Sequence, residues 1–337
     1  PFTVYKTTNG GGNLAPVDMG TVSQAGVYPD LTNWADYHEI VFHPTDYDII
    51  YFLNDGGVFR TTDGGLTFEN CNSGYQTTQF YGGISNSQTN GNLMLGGLQD
   101  NSSVIYEGDL EWRRGWAGDG GWTVLDPENN NNAYLSAQFG NMVFSSSLFT
   151  NPQVGDAFFK PTTSQFPRDQ TNFITPIIIS PAGNSTFYIG GEKILTATKG
   201  NNTWPFLGDG SALDGNAMSA MSGSHQDADV LYVASGPKLF GSTRGGIYVT
   251  KNKGNTWTNI TQDLPDRYPT DLAVDPTNHD RAFVTFGGFG SSHVFKTENA
   301  GVEWTDIGSE LPDIPTWSVA VDPINPNHIY VGNEIGV

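Results

Sequence analysis

The chain alternates short apolar runs with polar turns, and no stretch sustains an apolar i, i+3, i+4, i+7 pattern over three helical turns. One phrase recurs along its 337 residues: a strand ending in a polar turn, a second apolar strand, a Gly-rich turn, a third strand and a further polar turn. The first-strand turns fall at His43-Pro44, Asn86-Ser87, Asp126-Pro127, Ser180-Pro181, Gly223-Ser224, Asp275-Pro276 and Asp322-Pro323. The predicted second strands follow at 49–53, 93–97, 133–137, 186–189, 230–234, 282–286 and 329–332. A spacing of about 40 to 55 residues is that of four-stranded propeller blades. The pattern therefore predicts an all-β chain, a seven-bladed β-propeller of four-stranded blades in one domain over residues 1–337.

The two ends continue the pattern. Asn333-Glu334-Ile335-Gly336-Val337 repeats Asn54-Asp55-Gly56-Gly57-Val58, and Val4-Tyr5-Lys6-Thr7-Thr8-Asn9 repeats Val58-Phe59-Arg60-Thr61-Thr62-Asp63. Together they make one repeat, so the last blade is expected to be closed by the N-terminal strand, residues 2–8 lying beside 329–333. Closure of that kind removes exposed sheet edges. The same pattern arises if these residues are cut from a longer secreted array.

Three turns after the third strand share the order Ser/Thr-x-Asp/Asn-x-Gly-x-x-Trp/Phe: Thr61 to Phe68, Thr250 to Trp257 and Thr297 to Trp304. Residues 7–14 and 196–204 read as decayed copies. An Asp or Asn side chain can accept from backbone N–H groups ahead of it, and Gly takes positive φ to close the turn. The terminal aromatic can then pack between sheets. Asp63, Gly65, Phe68, Asn252, Gly254, Trp257, Asn299, Gly301 and Trp304 are accordingly expected to be structural.

These turns resemble the Asp boxes of the BNR-repeat propeller superfamily, which includes sialidases, sortilin-type receptors and xyloglucan-cleaving hydrolases. A nearer likeness is to secreted bacterial BNR-repeat, glycosyl-hydrolase-like proteins of unassigned activity. It rests on Ala35-Asp36-Tyr37-His38-Glu39, Asn54-Asp55-Gly56-Gly57, Gly96-Gly97-Leu98-Gln99-Asp100-Asn101 and Gly118-Asp119-Gly120-Gly121. The resemblance implies a propeller in a secreted or cell-surface protein. It implies little about activity, because propellers host many unrelated functions. A sialidase is disfavoured, since the Arg-Ile-Pro segment of that group is missing.

Charge narrows the partners. A formal net charge of −20 argues against nucleic acid, whose phosphates need Lys and Arg to replace counterions, and against anionic membranes. No apolar run approaches the length of a membrane span. Cys71 is the one cysteine, so no internal disulfide can form, and no His/Cys spacing points to zinc. No cofactor is required; an oxygen-rich calcium site near Asp55, Asp100 and Asp119 is a further expectation.

On the predicted blades, the second-to-third-strand turns and the inter-blade loops share one face. Asp55, Asp100, Asp119 and Glu192 are the candidate catalytic carboxylates there, and Asp36, His38, Gln99 and Asn101 the candidate ligand-binding groups. Trp112, Trp116 and Trp122 flank the acidic Gly-rich loop and are candidate sugar-stacking planes. Capping of its own turn is the simpler role for any one of these acids. The expected function is an extracellular recognition module that binds glycan or protein through the loop face. The alternatives are a glycoside hydrolase with a carboxylate pair at the channel mouth and a structural module of a larger surface protein. The oligomeric state is left open.

Overall fold

Strand-forming runs bounded by turn residues fold as the alternation requires. The computed structural model describes the chain apart from residues 1–3, 17–36, 73, 75–78, 111, 117, 151–156, 159–160, 162–164, 184, 202 and 238–243. Among the described residues all regular structure is antiparallel β, save the short 3-10 turns Gln138–Gly140 and Arg168–Gln170. The N-terminal hairpin pairs β1 (Tyr5–Lys6) with β2 (Ala15–Pro16). A four-stranded sheet follows: β3 (Tyr37–Phe42), β4 (Ile50–Asn54), β5 (Gly57–Thr61) and β6 (Glu69–Asn70). The second sheet holds β7 (Ser85–Asn86), β8 (Met94–Gly97), β9 (Ser103–Tyr106) and β10 (Arg113–Trp116), and the third β11 (Thr123–Leu125), β12 (Ala133–Ala137), β13 (Asn141–Ser145) and β14 (Ala157–Phe158).

The fourth sheet has three strands, β15 (Ile177–Ile179), β16 (Thr186–Gly190) and β17 (Ile194–Thr198), extended by a bridge from Leu195 to Phe206. The fifth holds β18 (Ala217–Gly223), β19 (Leu231–Gly236), β20 (Ile247–Thr250) and β21 (Thr258–Asn259). The sixth holds β22 (Pro269–Asp275), β23 (Asn278–Phe286), β24 (Val294–Thr297) and β25 (Thr305–Asp306). A last hairpin pairs β26 (Thr316–Val321) with β27 (Ile329–Asn333). The β1–β2 and β26–β27 hairpins form separate two-stranded sheets, so among the described residues the expected pairing of residues 2–8 beside 329–333 is not made: β1 takes β2 as its partner and β27 takes β26.

Period-two alternation explains why the sheets stack in chain order. Successive side chains of a strand point to opposite faces, so a strand between two sheets must be apolar on both. In β12, Ala133 and Leu135 pack towards Leu95 and Ile105 of the second sheet, while Tyr134 packs with Phe187 and Ile189 of the fourth. In β19, Leu231 and Val233 meet Tyr188 and Ile194, whereas Tyr232 and Ala234 meet Leu272 and Val284. The four gaps from the second sheet to the sixth are therefore small cores, each shared by two sheets. Val4 of the N-terminal segment fills the corresponding place against Ile50, Phe52 and Phe59 of the first sheet.

The turns repeat as closely as the strands. The N–H groups of His43, Ser87, Asp126, Ser180, Ser224 and Asp322 each close the first-to-second-strand turn on the carbonyl six residues on, at 2.7–3.1 Å. After the third strand, a hydroxyl takes over. Thr61, Thr250 and Thr297 accept from the N–H four residues ahead at 2.9, 2.9 and 2.8 Å. Asp63, Asn252 and Asn299 accept from Thr67, Thr256 and Glu303 at 2.9 Å each. The Thr67 hydroxyl and amide, with the Thr61 hydroxyl, hold the Asp63 carboxyl well below the usual carboxylate range. Thr7 and Asn9 make the same bonds, to Gly11 and Asn13. In the segment 196–204 the Asn201 N–H closes on the Thr198 carbonyl at 2.9 Å.

A fifth turn of this kind has no Asp and no Gly. Ser145 accepts from Phe149 N–H at 3.0 Å and from Ser147 N–H at 3.2 Å, and Leu148 and Phe149 sit at φ 52° and 55°. In the other copies the same two places are Gly10-Gly11, Gly64-Gly65, Lys253-Gly254 and Ala300-Gly301, all at positive φ. Holding two large residues left-handed costs free energy that packing must offset. Leu148 and Phe149 are buried in the core shared with Leu95, and Arg113 donates to both their carbonyls, at 2.8 and 2.9 Å.

Candidate functional site

The second-to-third-strand turns carry the acidic residues, and two adjacent sheets bring theirs together. In the first sheet, Gly56 N–H donates to Asn54 Oδ1 at 2.9 Å, an Asx turn that leaves Asp55 at its tip. His38, on the first strand of that sheet, bonds Asp55 through Nε2. In the second sheet the corresponding turn spans 98–102. Leu98 N–H donates to the Ser102 carbonyl at 2.9 Å and Asn101 Nδ2 to the Gln99 carbonyl at 2.8 Å. Asp100 and Ser102 take positive φ, 54° and 70°.

That strained turn is braced from the entry of the third sheet. Ser102 N–H donates to the Gly118 carbonyl and Gly120 N–H to the Leu98 carbonyl, at 2.9 and 3.0 Å. The backbones lie so close that a Cβ on Gly97 would stand 2.1 Å from the Gly121 oxygen, and one on Gly120 2.3 Å from that of Ser102. Glycine is required at both places by contact rather than by φ. Asp119 completes the brace, accepting from Asp100 N–H at 2.9 Å and from the Gln138 amide.

Asp55, Gln79, Gln99, Asp100 and Asn101 line a cavity of about 230 Å³. Of the residues expected on this face, the structure thus brings Asp55, Gln99, Asp100 and Asn101 together, with His38 and Asp119 directly behind them. Asp119 acts as a positioning group, because both carboxylate oxygens are engaged in the brace. Glu192 lies in the equivalent turn of the fourth sheet, where its N–H donates to the Gln170 carbonyl at 2.7 Å, and it does not line the cavity. Asp36 lies outside the described residues.

The three tryptophans are half-buried. Trp112 packs on Phe80 and Tyr106 at centroid distances of 5.4 and 5.0 Å. Trp116 packs against the core of the second and third sheets. Trp122 packs against the Tyr134 core and over Gly83, where a Cβ would meet its ring at 2.3 Å.

Gln79, which lines the cavity, and Tyr81, near Asp119 and Asp100, are absent from the sequence reading. Phe80 bridges Leu98 as Tyr37 pairs with Asn54, so Tyr81 follows Phe80 as His38 follows Tyr37. Aligning the entry segments of the two sheets would have found them. Burial, with the nearby carboxylates of Asp119 and Asp100, pushes the Tyr81 phenol up to about 12, so it stays a protonated donor at neutral pH. A calcium ion fits poorly: among the described residues no three acidic or imidazole side chains converge on one point, and Asp119 is already satisfied by N–H donors.

No protein-family model matches the chain, and no curated protein matches it in sequence. Solved structures do. A GH74 enzyme from Niastella koreensis superposes with a TM-score of 0.52 at 17% identity over 89% of this chain and 50% of its own. For the GH74 xyloglucanase of Xanthomonas campestris the values are 0.59, 12%, 87% and 50%. YCF48 from Cyanidioschyzon merolae gives 0.53 and 15%, covering 89% of this chain and 94% of its own, and a further YCF48 structure holds a D1 peptide. The chain spans about half the length of these GH74 enzymes. All are β-propellers, and at this level of identity the likeness identifies the fold of the chain as a β-propeller and nothing finer.

Proposed function

We propose that the chain is a seven-bladed Asp-box propeller, secreted or displayed at a cell surface, whose loop face recognises a glycan. The observation that carries the reading is the make-up of the cavity at Asp55. Two carboxylates and three amides from two sheets offer paired donors and acceptors, the mixture that sugar hydroxyls require. Such a lining penalises an apolar ligand, which would leave these groups unsatisfied.

Seven blades follow if the two hairpins at the chain ends are halves of one sheet. Two contacts of the N-terminal segment with the first sheet and one copied turn support this. Val4 packs on the first sheet, Lys6 Nζ donates to the Gly64 carbonyl at 2.7 Å, and the Thr7 turn copies the bonds of the third-strand turns.

Hydrolysis of a glycosidic bond is the second reading, favoured by the presence of two carboxylates, Asp55 and Asp100, on one cavity. One sample decides between them. On a glycan array the wild-type chain binds a carbohydrate, and Asp55→Asn or Gln99→Ala lowers the affinity by about tenfold, the size of a lost hydrogen bond to a charged or well-placed group. Release of reducing ends by the wild type, abolished in Asp55→Asn, would replace recognition by catalysis. Binding of peptides and of no glycan, in the manner of YCF48 with its D1 peptide, would overturn both.

A further inference from the structure

In four sheets the first strand loses register by one residue near its start, between Tyr37 and Glu39, Met218 and Ala220, Pro269 and Asp271, and Thr316 and Ser318. A bulge of this kind takes its extra residue out of the ladder and re-aims the side chain. The four residues are His38, Ser219, Thr270 and Trp317. Ser219 and Thr270 turn their hydroxyls back onto backbone, to the carbonyls of Ala234 at 3.3 Å and Thr316 at 2.6 Å. His38 and Trp317 instead reach the acidic tip of their own sheet's next turn. His38 bonds Asp55, and Trp317 Nε1–H donates to Glu334 Oε1 at 2.7 Å. The turns correspond as well: Asn333 Oδ1 accepts from Ile335 N–H at 3.0 Å, as Asn54 does from Gly56. Repetition of bulge and turn makes the indole–carboxylate pair a built feature and not a chance surface contact.

We propose that Trp317 and Glu334 form a second site, distinct from the Asp55 cavity, that takes the cationic side chain of an arginine- or lysine-bearing peptide. Trp317 is 50% exposed, and its only hydrogen-bond donor is spent on Glu334. What it offers a ligand is therefore the face of the ring, whose quadrupole attracts cations, with a solvent-exposed carboxylate at its edge. The ring lies near Gly287, where an added Cβ would stand 3.9 Å from Cζ3 and Cη2. The net charge of −20 draws cations towards this surface. A sugar would need several directional partners around the platform, yet the nearby Thr270 hydroxyl is already committed to the Thr316 carbonyl. Arg267, on the loop before β22, is anchored by the carbonyls of Phe289 and Asp266 at 3.0 and 2.8 Å, which leaves the cation to be supplied by the ligand.

The test is a titration of the full chain with the capped tripeptide Arg-Arg-Arg, with affinities read by isothermal titration calorimetry in the wild type and every variant. Where Trp317 is present, binding is read also by its indole Nε1–H resonance, which is assigned by its loss in Trp317→Leu. A saturable shift is expected, with affinity falling about fivefold or more between 50 and 300 mM salt. Trp317→Leu should weaken binding by about tenfold and Glu334→Gln by about fivefold, with Trp317→Phe intermediate because its ring keeps a weaker quadrupole. Near-ultraviolet circular dichroism checks that the variants keep their packing, and if Trp317→Leu fails to fold, Trp317→Phe and Glu334→Gln still decide. No shift at millimolar peptide, or undiminished affinity in Glu334→Gln, overturns the proposal. So does a Trp317 resonance that moves with cellotetraose and not with the peptide.

Discussion

The two ends of the sheets are built on different logics. At the end where the third strand stops, Thr7, Thr61, Ser145, Thr250 and Thr297 make the same bond to the N–H four residues ahead, within 2.8–3.0 Å. At the opposite end the corresponding turns share a backbone and little else: one tip carries Asp55 bonded to His38, another Glu334 bonded to Trp317, a third Asp100 held by Asp119. A repeat fold needs one end to lock neighbouring sheets, and Trp304 Nε1 does so by donating to the Ile260 carbonyl of the preceding sheet at 2.7 Å. The other end is released from that duty. Varied side chains gather where the repeat is free to diverge.

The comparison breaks most severely at Gly301. Its φ is 83°, and a Cβ there would stand 2.5 Å from Ile260 Cβ and Cδ1, both in the buried joint between the fifth and sixth sheets. Gly301→Val should cost about 3–5 kcal/mol in denaturant unfolding, combining left-handed strain with overpacking. A loss below about 1 kcal/mol would mean that the turn end does not lock the sheets.

Protonation separates the ends by sign. Asp271 lies in β22 beside the bulge, and burial pushes its carboxyl up to about 7 against the amides of Val319 and Leu272. The residue as a whole is half-buried. A folded value above the unfolded one means the native chain holds the proton more tightly. That stability is complete below about pH 4, declines as pH rises through about 7, and is level above it; the span should be about 2–4 kcal/mol. Asp126 and Asp275, at the first-to-second-strand turns, behave oppositely. Burial raises them, but Lys199 with Asn132 in one case, and Thr277 with Arg281 in the other, bring them below the ordinary value. Their contribution is present at neutral pH and fades as pH falls through the acid range. Unfolding free energy followed from pH 3 to 9 in the wild type and in Asp271→Asn checks both signs: the variant should lose the slope between 4 and 7 and keep the acid one.

The turn hydroxyls sharpen the comparison at a smaller scale. Thr297 and Ser145 are buried, and Thr297→Val or Ser145→Ala strands N–H groups that have no other acceptor in these turns. Each should cost about 1–2 kcal/mol by thermal or urea unfolding. Equal losses would show that the Ser145 turn serves the same purpose as its glycine-bearing relatives.

Ser145 also marks where the sequence stops being readable. The second strand at 133–137 and the turns at Thr61, Thr250 and Thr297 were legible because alternation and Asx-Gly spacing are local. Ser-Ser-Ser-Leu-Phe carries neither signal; its left-handed pair is held by Arg113 from the neighbouring sheet and by burial of Phe149. At the rim, Asp55 and Asp100 were placed on one face by counting turns. The brace from Asp119 to the Asp100 N–H was not, because it joins two sheets through a backbone contact that only Gly97 and Gly120 permit.

The smallest expected effect on stability falls at the cavity itself. Gln99 is exposed at the tip of its turn and its side chain faces the space lined by Asp55 and Asn101. Gln99→Ala should therefore change the unfolding free energy by no more than about 0.5 kcal/mol, the usual range for a surface substitution. Asp119→Ala is the contrasting case. It strips an acceptor from the Asp100 N–H and from the Gln138 amide, so the turn at φ 54° loses one of the bonds that brace it. A cost of about 1–2 kcal/mol is expected, with ligand affinity falling alongside. Measured by thermal unfolding and by titration with whichever glycan the array selects, the two variants should separate: Gln99→Ala loses affinity at constant stability, and Asp119→Ala loses both. If Asp119→Ala lowers stability and leaves affinity intact, the brace supports the fold alone, and the rim's divergence from the repeat has another cause than ligand recognition at Asp100.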